Sequence, residues 1–239
     1  MIEVKNLVKR YGNHCAVDHL SFTVEDGQVF GLLGPNGAGK STTMNIMTGY
    51  LAATEGDVVI QGHNILEEPE AARKCVGYLP EIPPLYPDMT VLEYLRFCAE
   101  LKKLPPERRQ EDLDEVLSLT HLDGQASRLI RNLSKGYRQR VGLAQAILGF
   151  PPIIILDEAT ASVDPENEHE IQEAISALVR GKTIITIAHR LATIQNADRI
   201  LVVEDGRIAQ QGTHQELMSQ EGIYRNFIEI RQRAEGWRI

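Results

Sequence analysis

Apolar and polar positions change period several times along this 239-residue chain, and each change predicts an element. Ile2-Glu3-Val4 and Leu20-Ser21-Phe22-Thr23-Val24 alternate as half-buried strands do, with turns at Gly12-Asn13 and Asp26-Gly27. Val29-Phe30-Gly31-Leu32-Leu33 is an apolar strand, followed by a helical pattern from Ser41 to Met47 that stops at Gly49. Gly56–Gly62 and Val76–Leu79 read as short strands, the second ending at Pro80-Glu81. Pro83, Pro84 and Pro87 then break regular structure and predict a flexible junction. Beyond it Val91-Leu92, Tyr94-Leu95 and Cys98 recur at helical spacing, with Asp88 and Thr90 as candidate caps. A second helix is predicted over Glu107–Leu119, and a third from Asn132-Leu133-Ser134 to about Leu148, capped by Ser134.

The next apolar run has no alternation at all. Ile153-Ile154-Ile155-Leu156 predicts a central parallel strand buried on both faces, ending in Asp157-Glu158. A helix over Pro165–Val179 follows, with Asp164 as N-cap and proline at its first position. Thr183–Ile187 is another buried strand and ends at His189. Ile200–Val203 and Arg207–Ala209 flank Glu204-Asp205-Gly206 as a hairpin, and helical patterns over His214–Ser219 and Ile223–Glu235 complete the chain. No internal repeat or low-complexity segment interrupts this order.

Between the third apolar strand and its helix stands Gly34-Pro35-Asn36-Gly37-Ala38-Gly39-Lys40-Ser41-Thr42, which matches the phosphate-loop pattern G-x-x-x-x-G-K-[ST] in the required strand–loop–helix setting. Glycines let successive amides point into one concavity, and the helix presents its positive end there. Lys40 can then reach the β- and γ-phosphates of a nucleoside triphosphate, and the Ser41 hydroxyl can hold Mg2+. The motif turns the element order into a fold class: an α/β phosphate-loop NTPase core with a mixed, mainly parallel sheet. Residues 1–81 hold an antiparallel β region and the phosphate-loop half of that core. Residues 82–150 form an inserted α-helical subdomain, 151–212 the second half of the core, and 213–239 the C-terminal helices.

In such a sheet, ligands gather at the carboxyl ends of the strands. Asp157 there suits the Mg2+ shell, because a hard cation seeks carboxylate oxygen. Glu158 suits a general base for an attacking water, and His189 a contact to the γ-phosphate. The plain alternatives are a solvated Asp-Glu strand end and a packed or exposed histidine. Tyr11, at the first turn, can stack on a nucleobase or simply close a hairpin.

A net charge of −8 argues against a nucleic-acid coat and against unaided adhesion to anionic membranes. Three widely spaced cysteines, Cys15, Cys75 and Cys98, fit reduced thiols better than disulfides or a metal site. Neither a signal pattern nor an apolar run of the roughly 20 residues a spanning helix requires is present, so action at a membrane would go through a partner.

These motifs together resemble the nucleotide-binding domain of ATP-binding cassette (ABC) transporters over essentially the whole chain. Leu133-Ser134-Lys135-Gly136-Tyr137-Arg138-Gln139-Arg140 is similar to the family's signature motif, Ala161-Ser162-Val163-Asp164 to its D-loop, His189 to its switch histidine and Tyr11 to its adenine-stacking aromatic. The resemblance implies an ATP-dependent head-to-tail homodimer with C2 symmetry. Each ATP would lie between Lys40, Ser41 and Glu158 of one copy and Ser134 and Gly136 of the other. Nucleotide contacts would come from Tyr11, Val17, Asn36, Gly37, Ala38, Gly39, Lys40, Ser41, Thr42, Ser134, Gly136 and Asp164. Ser41, Asp157 and Glu81 would serve Mg2+, while Glu158 and His189 would serve catalysis. The partners implied are transmembrane subunits, with no nucleic acid, and the location is cytoplasmic, peripheral at the inner face of the cell membrane.

Two departures accompany the resemblance. Glu81 stands where the family usually has glutamine, which bears on water positioning. Up to about Pro152 the chain resembles separate ABC-2-type export subunits. From Leu156 onward, Ala159, Ala188-His189-Arg190-Leu191 and Gln211-Gly212-Thr213-His214 resemble exporters with a fused ATPase. The expectation is an engineered chimera joined near Ile153–Glu158, with a natural mosaic as the alternative. The other functional readings are a soluble ABC ATPase, or a chimeric module that holds nucleotide with little turnover.

Overall fold

The computed structural model describes residues 1–157, 165–178, 181–187 and 195–235. It divides into two compact units, one of Met1–Arg73 with Thr183–Ile239 and one of Lys74–Lys182.

In the first unit, β1 (Ile2–Tyr11) pairs antiparallel with both β2 (His14–Val24) and β4 (Glu55–Ile60), and β4 carries the short β5 (His63–Asn64) on its other edge. β1 and β2 run longer than simple alternation predicts. Asn6 takes φ +48°, the register slips between Val4 and Leu7, and Leu7 and Val8 are buried side by side. A bulge of this kind resets which face the following side chains occupy, so the period-two signal fades in mid-strand.

A second sheet in this unit has β3 (Val29–Leu33) parallel to both β8 (Thr183–Ile187) and β9 (Arg199–Glu204), with β10 (Arg207–Gly212) antiparallel to β9. All five residues of β8 are buried, Thr183 and Thr186 included, as expected of a strand inside a parallel sheet. Helix α1 (Lys40–Met47) follows β3, and Gly49 at φ +70° ends it as expected. The terminal helices α7 (His214–Met218) and α8 (Ile223–Glu235) cover the sheet through Leu217, Tyr224 and Ile228, which meet Leu33, Ile200 and Val202.

The second unit pairs β6 (Val76–Leu79) in parallel with β7 (Ile153–Asp157) and adds helices α3 (Val91–Leu101), α4 (Pro106–Leu119), α5 (Lys135–Ile147) and α6 (Pro165–Leu178). It is larger than the helical stretch 82–150 because both strands belong with the helices. Gly77 shows why: a β-carbon there would meet the Ala146 carbonyl, so β6 passes directly under the end of α5. Of the two candidate caps for α3, Thr90 forms a full capping box with Glu93, while Asp88 pairs with Arg131 at 2.7 Å. The C-terminus of α5 is closed by a side chain from another helix region. Lys102 Nζ donates to the carbonyls of Gln145, Ala146 and Leu148 at 2.7, 3.2 and 2.8 Å. Helix α2 (Pro69–Lys74) was not legible in the sequence, since six residues are too few to show a helical period.

Candidate nucleotide-binding site

The loop after β3 is shaped by close packing as well as by glycine freedom. Gly34 and Gly39 have φ +151° and +98°, and a β-carbon on either would run into backbone, the Val203 carbonyl for Gly34 and the Ala16 carbonyl for Gly39. The loop is thereby pressed onto β9 and β2 while Pro35, Asn36 and Gly37 stay exposed. Gly39 caps α1, and its carbonyl accepts from both Thr43 N and Thr43 Oγ1 at 2.9 Å.

Lys40 is only 6% exposed, and its ammonium donates to the Gly34 and Pro35 carbonyls at 2.7 and 2.9 Å. A buried ammonium held by the loop's own carbonyls leaves a cationic concavity at a helix N-terminus, the arrangement that receives phosphate. Ser41 is exposed at the first turn and Thr42 half-buried; Ala38 is buried with its N–H on the Pro35 carbonyl at 3.2 Å.

Gly206 bonds to this loop and is itself braced by Asp18, which pairs with Arg207; sequence reading assigned none of the three. Gly206, at the β9–β10 turn, donates its N–H to the Ala38 carbonyl at 3.1 Å and accepts from Asp18 N at 2.9 Å. Asp18 in turn binds Arg207 at 2.6 Å, and its carboxyl is held below the usual range by hydrogen bonds from His19 and then Arg207. The Glu204-Asp205-Gly206 hairpin was legible, but nothing in its spacing said that it would clasp the phosphate loop. Val17 is 0% exposed, and a β-carbon on Gly39 would stand 3.4 Å from its Cγ2. Tyr11, by contrast, is 50% exposed at the hairpin, with Lys9 Nζ 5.2 Å from its ring centroid.

In the second unit, Asp157 ends β7 at 8% exposure. The Tyr78 hydroxyl donates to it, and the Tyr78 phenol is pushed well above its ordinary pKa by burial first and by the Asp157 charge second. Tyr78 was missed because it alternates within β6 like any strand aromatic. Parallel register sets Leu79 beside Leu156, so Glu81 leaves the same strand ends as Asp157; it is exposed. Ser134 is the exposed N-cap of α5 and accepts from Tyr137 N at 3.3 Å. Gly136 behind it is buried against Asn167 of α6. Asn167 Oδ1 accepts from Arg140 Nε and Nη2 at 3.2 and 2.8 Å, and the Arg140 guanidinium lies 4.1 Å from the Tyr137 ring centroid. A charged residue on the apolar face of α5 was the available signal for this lock. Glu158, Asp164 and His189 lie outside the described residues.

Residues 17–161, from beneath the phosphate loop to beyond β7, match the model of the family described as ABC transporter. The chain belongs to that family.

Its relatives agree along nearly the full length. It is 34% identical over 99% of its residues to the ABC transporter ATP-binding protein YxlF of Bacillus subtilis (strain 168), spanning 79% of that protein. It is also 34% identical, over 92%, to the Nod factor export ATP-binding protein I of Cupriavidus metallidurans, spanning 74% of it. It is 35% identical, over 93%, to the ATP-dependent lipid A-core flippase of Syntrophus aciditrophicus, of which it spans 38%. Among solved structures, an ATP-binding subunit of an ABC transporter superposes with a TM-score of 0.84 at 31% identity, each chain covered to 92%. A dimeric post-hydrolysis cassette bound to ADP and Pi superposes with a TM-score of 0.80 at 27% identity, covering 89% of this chain and 98% of that one. The protein is thus an ATP-binding cassette of a transporter, an ATPase that works with transmembrane subunits; among the described residues no helix is long and apolar enough to cross a membrane.

Proposed function

We propose that this cassette hydrolyses Mg-ATP at two composite sites in a head-to-tail dimer and drives export from the inner face of the cell membrane. The observation that carries the reading is the Lys40 ammonium, buried on the Gly34 and Pro35 carbonyls at the start of α1. Turned outward, it meets the β- and γ-phosphates beside the amides of Gly37, Ala38 and Gly39, while Asn36 and Thr42 line the same loop. Tyr11 offers its exposed ring to the adenine. Ser134 and Gly136, at the N-terminal end of α5, would face the γ-phosphate of the other copy, and Asp164 would add a further nucleotide contact.

Asp157, Glu81 and Ser41 each carry the kind of oxygen donor a hard cation such as Mg2+ takes. Asp157 is a nearly buried carboxylate that accepts from Tyr78. Bound there, Mg2+ would neutralise developing phosphate charge. Glu158 would accept a proton from the attacking water, and His189 would orient that water. Export as the direction is supported by the relatives named as a Nod factor export protein and a lipid A-core flippase.

The test is Mg-ATP hydrolysis against protein concentration, with Glu158→Gln as control. Specific activity that rises with concentration and vanishes in the variant is expected. Activity independent of concentration would overturn the shared sites, and ATP binding without any turnover would make the chain a binding module, as a mismatched join near Ile153–Glu158 would produce.

A further inference from the structure

Outside the nucleotide site, His121, Glu170 and Glu173 each place one ligand atom within 4.8 Å of the other two. His121 lies just past the end of α4, and the two glutamates lie on α6, both in the same compact unit. His121 Nδ1 is 3.5 Å from Glu170 Oε2, and His169 Nε2 is 3.4 Å from Glu173 Oε1 one turn back on α6. Glu170 Oε2 is a buried atom with no hydrogen-bond partner. Arg140 Nη1 also stands 3.5 Å from it but without hydrogen-bond geometry, since that guanidinium is spent on Asn167 and the His121 carbonyl. Both nitrogens are ion-pair neighbours of this buried oxygen, but neither completes a hydrogen bond to it, so its acceptor capacity is left open.

We propose that His121, Glu170 and Glu173 form a site for a divalent transition metal of the Zn2+ type, tying the end of α4 to α6. The donor set is the mixed imidazole–carboxylate kind that such ions take with water in the remaining position. Donors about 2.1 Å from a tetrahedral ion stand about 3.4 Å apart, so closure draws the three atoms inward. Two of the three side chains are exposed and can make that movement. Glu170 is the anchor, half-buried and already oriented. The Arg140 charge opposes a cation on Glu170, which makes His121 and Glu173 indispensable.

The experiment is a calorimetric titration of untagged, nucleotide-free full chain with Zn2+ alone, beside His121→Asn and Glu173→Gln. Both positions are exposed, so both variants keep the fold, which thermal unfolding in chelator verifies. One equivalent of Zn2+ bound by the parent, weakened about tenfold or more in each variant, is expected. No saturable binding by the parent, or parental affinity in either variant, overturns the proposal.

Discussion

Gly136 and Asn167 lie so close that a β-carbon on the glycine would overlap the asparagine side chain. The signature glycine is therefore required by packing between α5 and α6, whatever it does for a phosphate. Asn167 cannot step aside cheaply, because it holds two guanidinium nitrogens of buried Arg140.

Gly136→Ala is expected to lower stability by about 1–3 kcal/mol through overpacking, visible without nucleotide in chemical denaturation. Unchanged stability with loss of ATP-dependent dimerisation alone would show that the glycine serves only the phosphate.

Lys40→Ala removes the cation from the phosphate concavity. ATP affinity should fall at least about tenfold, because a charge-assisted contact of about 1.5–3 kcal/mol is lost, while the Mg-free fold persists through Gly206 and Asp18. Equilibrium binding of a fluorescent nucleotide measures it.

Tyr11 is half exposed, and removing its ring takes little from the core. Tyr11→Ala should weaken ATP by about 1–3 kcal/mol, the range for base–aromatic stacking, with little change in Tm. Equal weakening of inorganic triphosphate would show that the ring does not meet a base.

Lys102 gives the fold a pH dependence. Burial pushes its pKa down from 10.5 to about 8, and its three carbonyl contacts hold the ammonium at the end of α5. Between those values the unfolded chain binds a proton that the folded chain has released, so this group's contribution to stability rises with pH. Below pH 8 both states are protonated, and the burial cost is carried in full. Relative to Lys102→Met, the parent should gain about 1.5 kcal/mol between pH 8 and 9.5 in urea unfolding. Parallel curves for the two proteins would place the lysine's proton elsewhere.

The phosphate loop, the cap at Ser134 and the strand end at Asp157 were legible because each rests on neighbours in sequence: a glycine spacing, a capping residue before a helical period, an acid after an apolar run. Helix boundaries came within a residue or two for the same reason. The core strands β3, β6, β7 and β8 did too, but β1 and β2 ran well past the stretches that alternate, since the bulge at Asn6 breaks the alternation that marks a strand.

What the sequence determined by itself is thus the local chemistry: a phosphate-binding loop, a signature helix, an acid at the end of a buried strand, and the order of strands and helices around them. Tertiary structure alone decided what each of these leans on. Gly206 and Asp18 clasp the loop, Tyr78 fixes Asp157, Arg140 and Asn167 seat the signature helix, and Lys102 closes its far end. The physical reason is separation along the chain. Asp18 and Gly206, or Arg140 and Asn167, share no turn or period, and only the burial of intervening apolar surface brings their polar groups within bonding distance.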